Sequence, residues 1–508
     1  MSDEDAGPSL ADAFFAPEPA PRSPVAGGRA DFDPEDWGAF RALAEQVAAA
    51  CVDRIEGARE LPWRPTPDLV KFELDEPAPT GGAPLEQVMG RVLSDIMPHA
   101  TGNTHPRFFG WVHGTGLADG LLAAMVEAAM NSNCGGRDHA ALYVERQVIS
   151  WMCGLFGFGE RASGVLVSGA SMATLYALLA ARRRAREVCG DEIAAERLTV
   201  YAAEGAHACV DKACDVLGLP ARNLRKIPLT QGRRMSLRAL RSMLARDRDA
   251  GFTPMAVVGT VGGVETGASD DLVKMAGIAK AEAVWLHVDG AFGAWARLAR
   301  GPWRAQADGI DRADSLGFDF HKWPSVNYDC GCVLIRDGDL HRRTFSNRPN
   351  YLTSADDGLA GGDPWFCDYG LELSRSFRAL KVWIALKTHG LERLGAVVDK
   401  CCRQARRMAD RVQAARGLSL CFEPKLNVVC FRPDAPELSD AEADALVTRA
   451  AAAMQRAGEA VFSTARIDGR MALRAAIVNH RTRDADIDAA VAAAEAVCLR
   501  LRGLRGAT

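Results

Sequence analysis

The chain has 508 residues, 48% hydrophobic and 25% charged, with a formal net charge of −4. That length accommodates two or three domains and a sizeable core, and the charge gives no electrostatic case for nucleic acid or an anionic membrane as the main partner. No run approaches the roughly 18 consecutive apolar residues of a membrane span; the best, GLLAAMVEAAM from Gly120, is broken by Glu127.

The amino terminus, MSDEDAGPSL, is acidic and lacks the basic-then-apolar order of a secretory signal. Residues 1–34 are rich in Ala, Pro, Gly and Asp, and a disordered tail is expected there. Helical periodicity follows over 36–58 (Trp37, Phe40, Leu43, Val47, Cys51, Ile55), then a Pro-rich connection and a second helix around 84–97. From about 101 to 336, helical stretches alternate with short apolar runs: GVLVSG from Gly164, LTVYAA from Leu198, MAVVGTV from Met255, AVWLHVDG from Ala283 and GCVLIRD from Gly331. Such alternation implies βαβ units, an α/β fold and a largely parallel sheet flanked by helices, with ligands at the carboxyl ends of its strands. A long helix, FRALKVWIALKTHG, opens the last part of the chain, and a strand-like run, LNVVCFRP, follows it. A smaller α+β domain fits there.

The fourteen cysteines form no framework, and neither Cys330-Gly-Cys332 nor the Cys401–Cys402 pair has a matching second half at zinc spacing. Buried, reduced thiols, no metal site and a cytoplasmic location are the expectation. Gly157-Phe-Gly159-Glu-Arg-Ala162 imitates a dinucleotide fingerprint, but it follows a helix and precedes a strand, the reverse of what that motif requires.

Ser171, in SGAS, lies between a strand and the helix MATLYALLAARRRA. Three readings are open. It resembles a degenerate nucleophile elbow, with Asp289 and His321 downstream in the order of a serine hydrolase. Alternatively the helix terminus binds an anion and Ser171 adds a hydroxyl donor, or Ser171 simply caps the helix. Asp289 ends the apolar run VWLHV, where a carboxylate needs a partner, either a cationic ring nitrogen or an arginine. Lys322, one of only ten lysines, sits among aromatics in Asp319-Phe-His321-Lys322-Trp323 and is a candidate for an imine with an aldehyde cofactor. Desolvation is expected to lower its pKa. A lysine for an aldehyde, a carboxylate for a pyridinium and a helix terminus for a phosphate are the attachments of pyridoxal 5'-phosphate. A hydrolase triad leaves Lys322 without a role.

Six motifs in one order carry a resemblance: HPRFFGWV at His105, GVLVSGASMATL at Gly164, AHACVDKA at Ala206, WLHVDGAFGA at Trp285, DFHKWPSVNYDCG at Asp319 and SFRALKVW at Ser376. The chain is similar to the group II pyridoxal-phosphate decarboxylases, which include aromatic-amino-acid, histidine and glutamate decarboxylases, from about Trp37 onward. The resemblance implies a fold type I homodimer: a tail over 1–34, a dimer-forming helical arm over 35–100, a large cofactor domain over 101–373 and a small carboxy-terminal domain over 374–508. It implies Lys322 as the Schiff-base lysine, Asp289 as partner of the pyridine nitrogen and Ala291 beneath the ring. Ala170 and Ser171 resemble the phosphate cradle, His207 the histidine stacked on the ring, and Asp319 and His321 cofactor contacts flanking the lysine. Apart from the resemblance, His207 reads equally as a core or capping histidine. Thr101 falls at a substrate-side threonine, and Tyr351, in RPNYL, matches the mobile-loop tyrosine that protonates the carbanionic intermediate; phenylalanine there marks the family's aldehyde synthases. The implied activity is α-decarboxylation of a small amino-acid substrate.

Three departures stand out. Phe320 replaces the usual proline, and the irregular run GTVGGVETGASDD leaves the threonine near the cofactor open between Thr260 and Thr266. In NSNCGGRDHAALYVE from Asn131, where the family builds a substrate pocket across the dimer, Arg137 and Asp138 replace apolar character, facing either the substrate or solvent.

Overall fold

The computed structural model describes residues 31–190, 193–347 and 354–503. The chain divides into two units, residues 1–49 and 50–508. Of the first, the described part leads into the helix Trp37–Glu56, with the rings of Trp37 and Phe40 edge to face at 5.8 Å. The expected tail over 1–34 falls almost wholly outside the described residues.

The second unit is built on a seven-stranded sheet of β1 (Ser163–Val167), β2 (Leu198–Ala203), β3 (Leu224–Ile227), β4 (Thr253–Thr260), β5 (Trp285–Asp289), β6 (Ser315–Asp319) and β7 (Gly331–Ile335). Its spatial order is β1-β7-β6-β5-β4-β2-β3. The pairs β6–β5, β5–β4, β4–β2 and β2–β3 are parallel, whereas β7 runs antiparallel to both of its neighbours. Helices cover the sheet, so its interior strands are buried on both faces and read as continuous apolar runs. Two strands lack that signature. The edge strand β3 is only half buried, and the central β6 has the sequence SLGFD, whose Gly317 lies so close to Ala173 that a Cβ would sit 3.1 Å from it.

Register lines up the chemistry. Thr260 pairs with Asp289, and Asp289 with Gly317, while Asp319 and Val167 both lie opposite Gly331. Asp289, Asp319 and the turn from β1 into the helix Ala170–Cys189 therefore meet along one edge of the sheet. A Cβ on Gly331 would lie 2.6 Å from the Gly169 Cα and 2.7 Å from Asp319 Oδ1, so only glycine admits this approach.

A second, antiparallel sheet joins β8 (Leu418–Leu420), β9 (Val428–Pro433), β10 (Ser463–Ile467) and β11 (Arg470–Ala476) in the order β10-β11-β9-β8. Asp468 and Gly469 close the β10–β11 hairpin, both with positive φ (52° and 77°), the requirement of a two-residue turn matched to strand twist. The helical segment Arg378–Ala414 is broken at Gly390 (φ 70°, ψ 163°).

One ion pair secures the approach to β1. Arg375 and Glu145, both essentially without solvent contact, lie 2.6 Å apart. Glu145 also accepts the Leu166 N–H at 3.0 Å, and Arg375 donates to the carbonyls of Leu166 and Cys134. Breaking such a pair leaves a buried charge uncompensated, at a cost of about 3–5 kcal/mol. Arg375→Met is expected to lower the unfolding free energy by roughly that amount, measured by urea denaturation, whereas replacing both partners with apolar residues costs less.

Candidate active site

Beyond Asp319 the chain leaves β6 through Phe320, His321 and Lys322, with Phe320 and Trp323 fully buried on either side of the lysine. The Asp319 backbone is fixed in both directions: its N–H donates to the Ala291 carbonyl at 2.9 Å, and its carbonyl accepts from Trp295 Nε1 at 2.9 Å. Its carboxylate, 1% exposed, accepts the Ala170 N–H through Oδ1 at 2.7 Å and lies 2.9 Å from Lys322 Nζ through Oδ2. His321 Nε2 is 3.8 Å from the same oxygen, and its Nδ1 accepts the Cys330 N–H at 3.1 Å. Gly114 packs against this segment so closely that a Cβ there would lie 1.7 Å from the His321 carbonyl oxygen.

The lysine corrects one expectation. Burial does oppose its ammonium, but the Asp319 carboxylate, reinforced by Asp289 and Tyr328, outweighs burial and holds the Lys322 pKa above its ordinary value. The sequence shows Asp319 three residues away without showing that the two side chains meet.

Asp289 ends β5, 5% exposed, with Oδ1 accepting the Ala291 N–H at 3.1 Å. No arginine pairs with it among the described residues. Of the two threonines left open, Thr260 lines the cavity, its buried hydroxyl unpartnered, whereas Thr266 Oγ1 accepts the Ala268 N–H.

Ser171 does not cap its helix. The N-cap is Gly169, no side chain caps the terminus, and Ser171 is an exposed residue of the first turn facing the cavity. Nor does it hydrogen-bond to a histidine among the described residues, as a hydrolase nucleophile would. His207 is exposed rather than core: its Nδ1 accepts the Cys209 N–H at 3.1 Å at the start of the helix Cys209–Val216, and the ring lines the same cavity. That bond leaves the proton of the neutral ring on Nε2.

These groups surround one cavity of about 700 Å³, lined by Ala170, Ser171, His207, Asp289, Ala291, Asp319, His321 and Lys322. Thr101 and Arg137 do not line it; Arg137 instead stacks 4.6 Å over Trp365, and Asp138 accepts the Tyr143 hydroxyl at 2.6 Å. Tyr351 lies outside the described residues.

The remaining wall was not anticipated. It includes Trp111, His113, Glu265 and Tyr328, with Ser463, Thr464, Ala465 and Arg474 from β10 and β11. Arg474, 4% exposed, donates to the Trp111 carbonyl at 3.0 Å and to Ser463 Oγ at 3.2 Å, with no carboxylate in ion-pair range among the described residues. Burial lowers its pKa, against Cys430 and Glu265. A lone arginine in the apolar run MALRAAIV was the available signal.

The profile of the pyridoxal-dependent decarboxylase conserved domain matches residues 67–434. An aromatic-L-amino-acid decarboxylase of Bacillus atrophaeus is 30% identical over 87% of this chain and 92% of its own length. The chain belongs to the pyridoxal-dependent decarboxylase family. A phenylacetaldehyde synthase of Arabidopsis thaliana is 27% identical over 80% of this chain and 84% of its own. The Oryza sativa TDC crystallised with PLP and tryptamine superposes with a TM-score of 0.86 at 25% identity, covering 93% of this chain and all of that one. The fold is therefore that of the PLP-dependent fold type I decarboxylases, and pyridoxal phosphate is the cofactor. The cavity fits it: an amine at Lys322, a carboxylate at Asp289, a helix N-terminus with the Ser171 hydroxyl, and the unpartnered Thr260 hydroxyl.

Because only the neutral amine condenses with an aldehyde, attachment of pyridoxal phosphate to the ligand-free chain is expected to accelerate roughly tenfold per pH unit above neutrality, as the ammonium deprotonates. Asp319→Asn removes the counter-ion, lowers the lysine pKa and flattens that dependence, as followed by stopped-flow visible absorption.

Proposed function

We propose that the chain catalyses α-decarboxylation of an L-amino acid to the corresponding amine and CO2. The observation that carries this is the convergence of Lys322, Asp289 and the Ala170–Ser171 helix terminus on one cavity. Bound pyridoxal phosphate supplies the electron sink for cleavage at the α-carbon. Lys322 attaches the cofactor, and Asp289 keeps a ring nitrogen protonated by the field of its buried carboxylate. Ser171, through its hydroxyl and its own N–H, would hold the phosphate beside Ala170, whose N–H Asp319 already occupies; Ala291 and His207 would contact the ring, and Asp319 with His321 fixes the lysine segment. Tyr351 returns a proton to the α-carbon, helped by His207, and a tyrosine at this position favours amine over aldehyde formation.

The proposal extends to a cytoplasmic homodimer that shares its sites, with an arm (35–100), a cofactor domain (101–373) and a carboxy-terminal domain (374–508). Thr101 and Arg137, absent from the wall of their own chain's cavity, then serve substrate binding from the partner side. Support comes from the helix Asp119–Met130, which exposes Leu122, Met125, Val126 and Met130 along one face. No helix among the described residues is long and apolar enough to cross a membrane. Burial pushes the thiols of Cys330, Cys332 and Cys401 upward, as suits inert buried cysteines.

A second reading, aldehyde formation on the same cofactor, draws support from the relative that carries that name. Purified protein incubated with pyridoxal phosphate is expected to show visible absorption that Lys322→Ala abolishes and Ser171→Ala retains. A screen of amino acids should yield amine and CO2 in equal amounts; hydrogen peroxide with aldehyde would select the second reading, and a colourless protein would defeat both. Sedimentation should give twice the chain mass of 54.5 kDa, and Met125→Glu with Val126→Glu should shift it toward monomer.

A further inference from the structure

Among the described residues one tyrosine lines the cavity, Tyr328, six residues beyond the lysine. A tight loop folds it back. The Ser325 N–H donates to the Lys322 carbonyl at 3.1 Å, and the Val326 N–H to that of Phe320 at 3.1 Å. The phenol ring consequently lies 4.5 Å from the His321 ring, tilted by 33°, and edge-on to His113 at 6.5 Å. The Gly114 backbone N–H and Lys322 both act on the phenol in the sense that favours its anion.

Its neighbours are poorer acids. Burial, then the charge of Lys322, lowers the His113 pKa; burial also lowers that of His321, against Asp319. Both rings are therefore neutral near pH 7, and His321 has Nδ1 engaged by Cys330. Tyr328, half exposed at the cavity mouth, keeps its proton near pH 7: partial desolvation raises its pKa, with Gly114 and Lys322 opposing.

Resting on the decarboxylase reading above, we propose that Tyr328 is a second acid of this site, delivering its phenolic proton to the α-carbon after CO2 departs. The electron pair released by C–C cleavage forms the new C–H bond, and the O–H bond breaks. The phenolate left behind is stabilised by the Gly114 N–H and the Lys322 ammonium; it regains a proton from Lys322, which solvent recharges. Tyr328 stands on the lysine loop, whereas Tyr351 lies outside the described residues.

The test is Tyr328→Phe, prepared as holoenzyme beside Tyr351→Phe. The expected result is a kcat lowered roughly a hundredfold with KM and visible cofactor absorption unchanged, an enlarged solvent deuterium effect, and a greater share of aldehyde relative to amine. A purely structural role would not move that product ratio. Wild-type kcat with pure amine product in Tyr328→Phe would overturn the assignment, as would a raised KM with kcat intact. If Tyr328→Phe does not retain cofactor, Tyr351→Phe decides: continued amine formation supports an acid at Tyr328, and complete diversion to aldehyde contradicts it. Wild-type protein without cofactor absorption would defeat the decarboxylase reading itself.

Discussion

A carboxylate with 1% of its surface exposed persists in a protein interior only when its lone pairs are engaged, and Asp319 engages them with the two groups the site most needs to place. One oxygen takes the first free N–H of the helix Ala170–Cys189; the other takes the ammonium of Lys322. A helix terminus and a lysine 152 residues apart in sequence are thereby held to one point. Gly331 and Gly114 make the convergence sterically possible, because a Cβ on either would meet backbone or the carboxylate itself.

The sheet explains why that point faces a cavity. With β5 and β6 parallel and in register, Asp289 and Asp319 emerge at the carboxyl edge, where the crossovers leave a crevice. The second sheet contributes the opposite wall through β10 and β11. Arg474 ties that wall to the loop carrying Trp111. Two buried charges face the cavity: Lys322 is paired with Asp319, and Arg474 has no carboxylate in ion-pair range among the described residues.

Much of this was legible in the sequence where the physical signal is local. The runs of β4 and β5 are apolar because both faces are buried, and Asp289 stands out as the polar residue that ends one. Lys322 stands out through the scarcity of lysine and its aromatic neighbours. Pairings between distant segments were not legible. SLGFD carries no strand signature, since β6 owes its burial to neighbours on both sides. The Asp319–Ala170 bond joins separate motifs, and so the Lys322 pKa was expected to fall when it is raised. Ser171 resembled a cap because serine commonly caps helices, but the extended backbone of Gly169 occupies that position. Arg474 was missed because nothing local relates a carboxy-terminal hairpin to a strand edge formed far earlier in the chain.

The central claim is that Lys322 alone, among ten lysines, attaches pyridoxal phosphate. Reduction of the holoenzyme with borohydride, followed by proteolysis and mass spectrometry, tests it directly. The account predicts one pyridoxyl-phosphate adduct per chain, on the peptide containing Lys322. An adduct on another lysine, or none on a protein saturated with the cofactor, would contradict it.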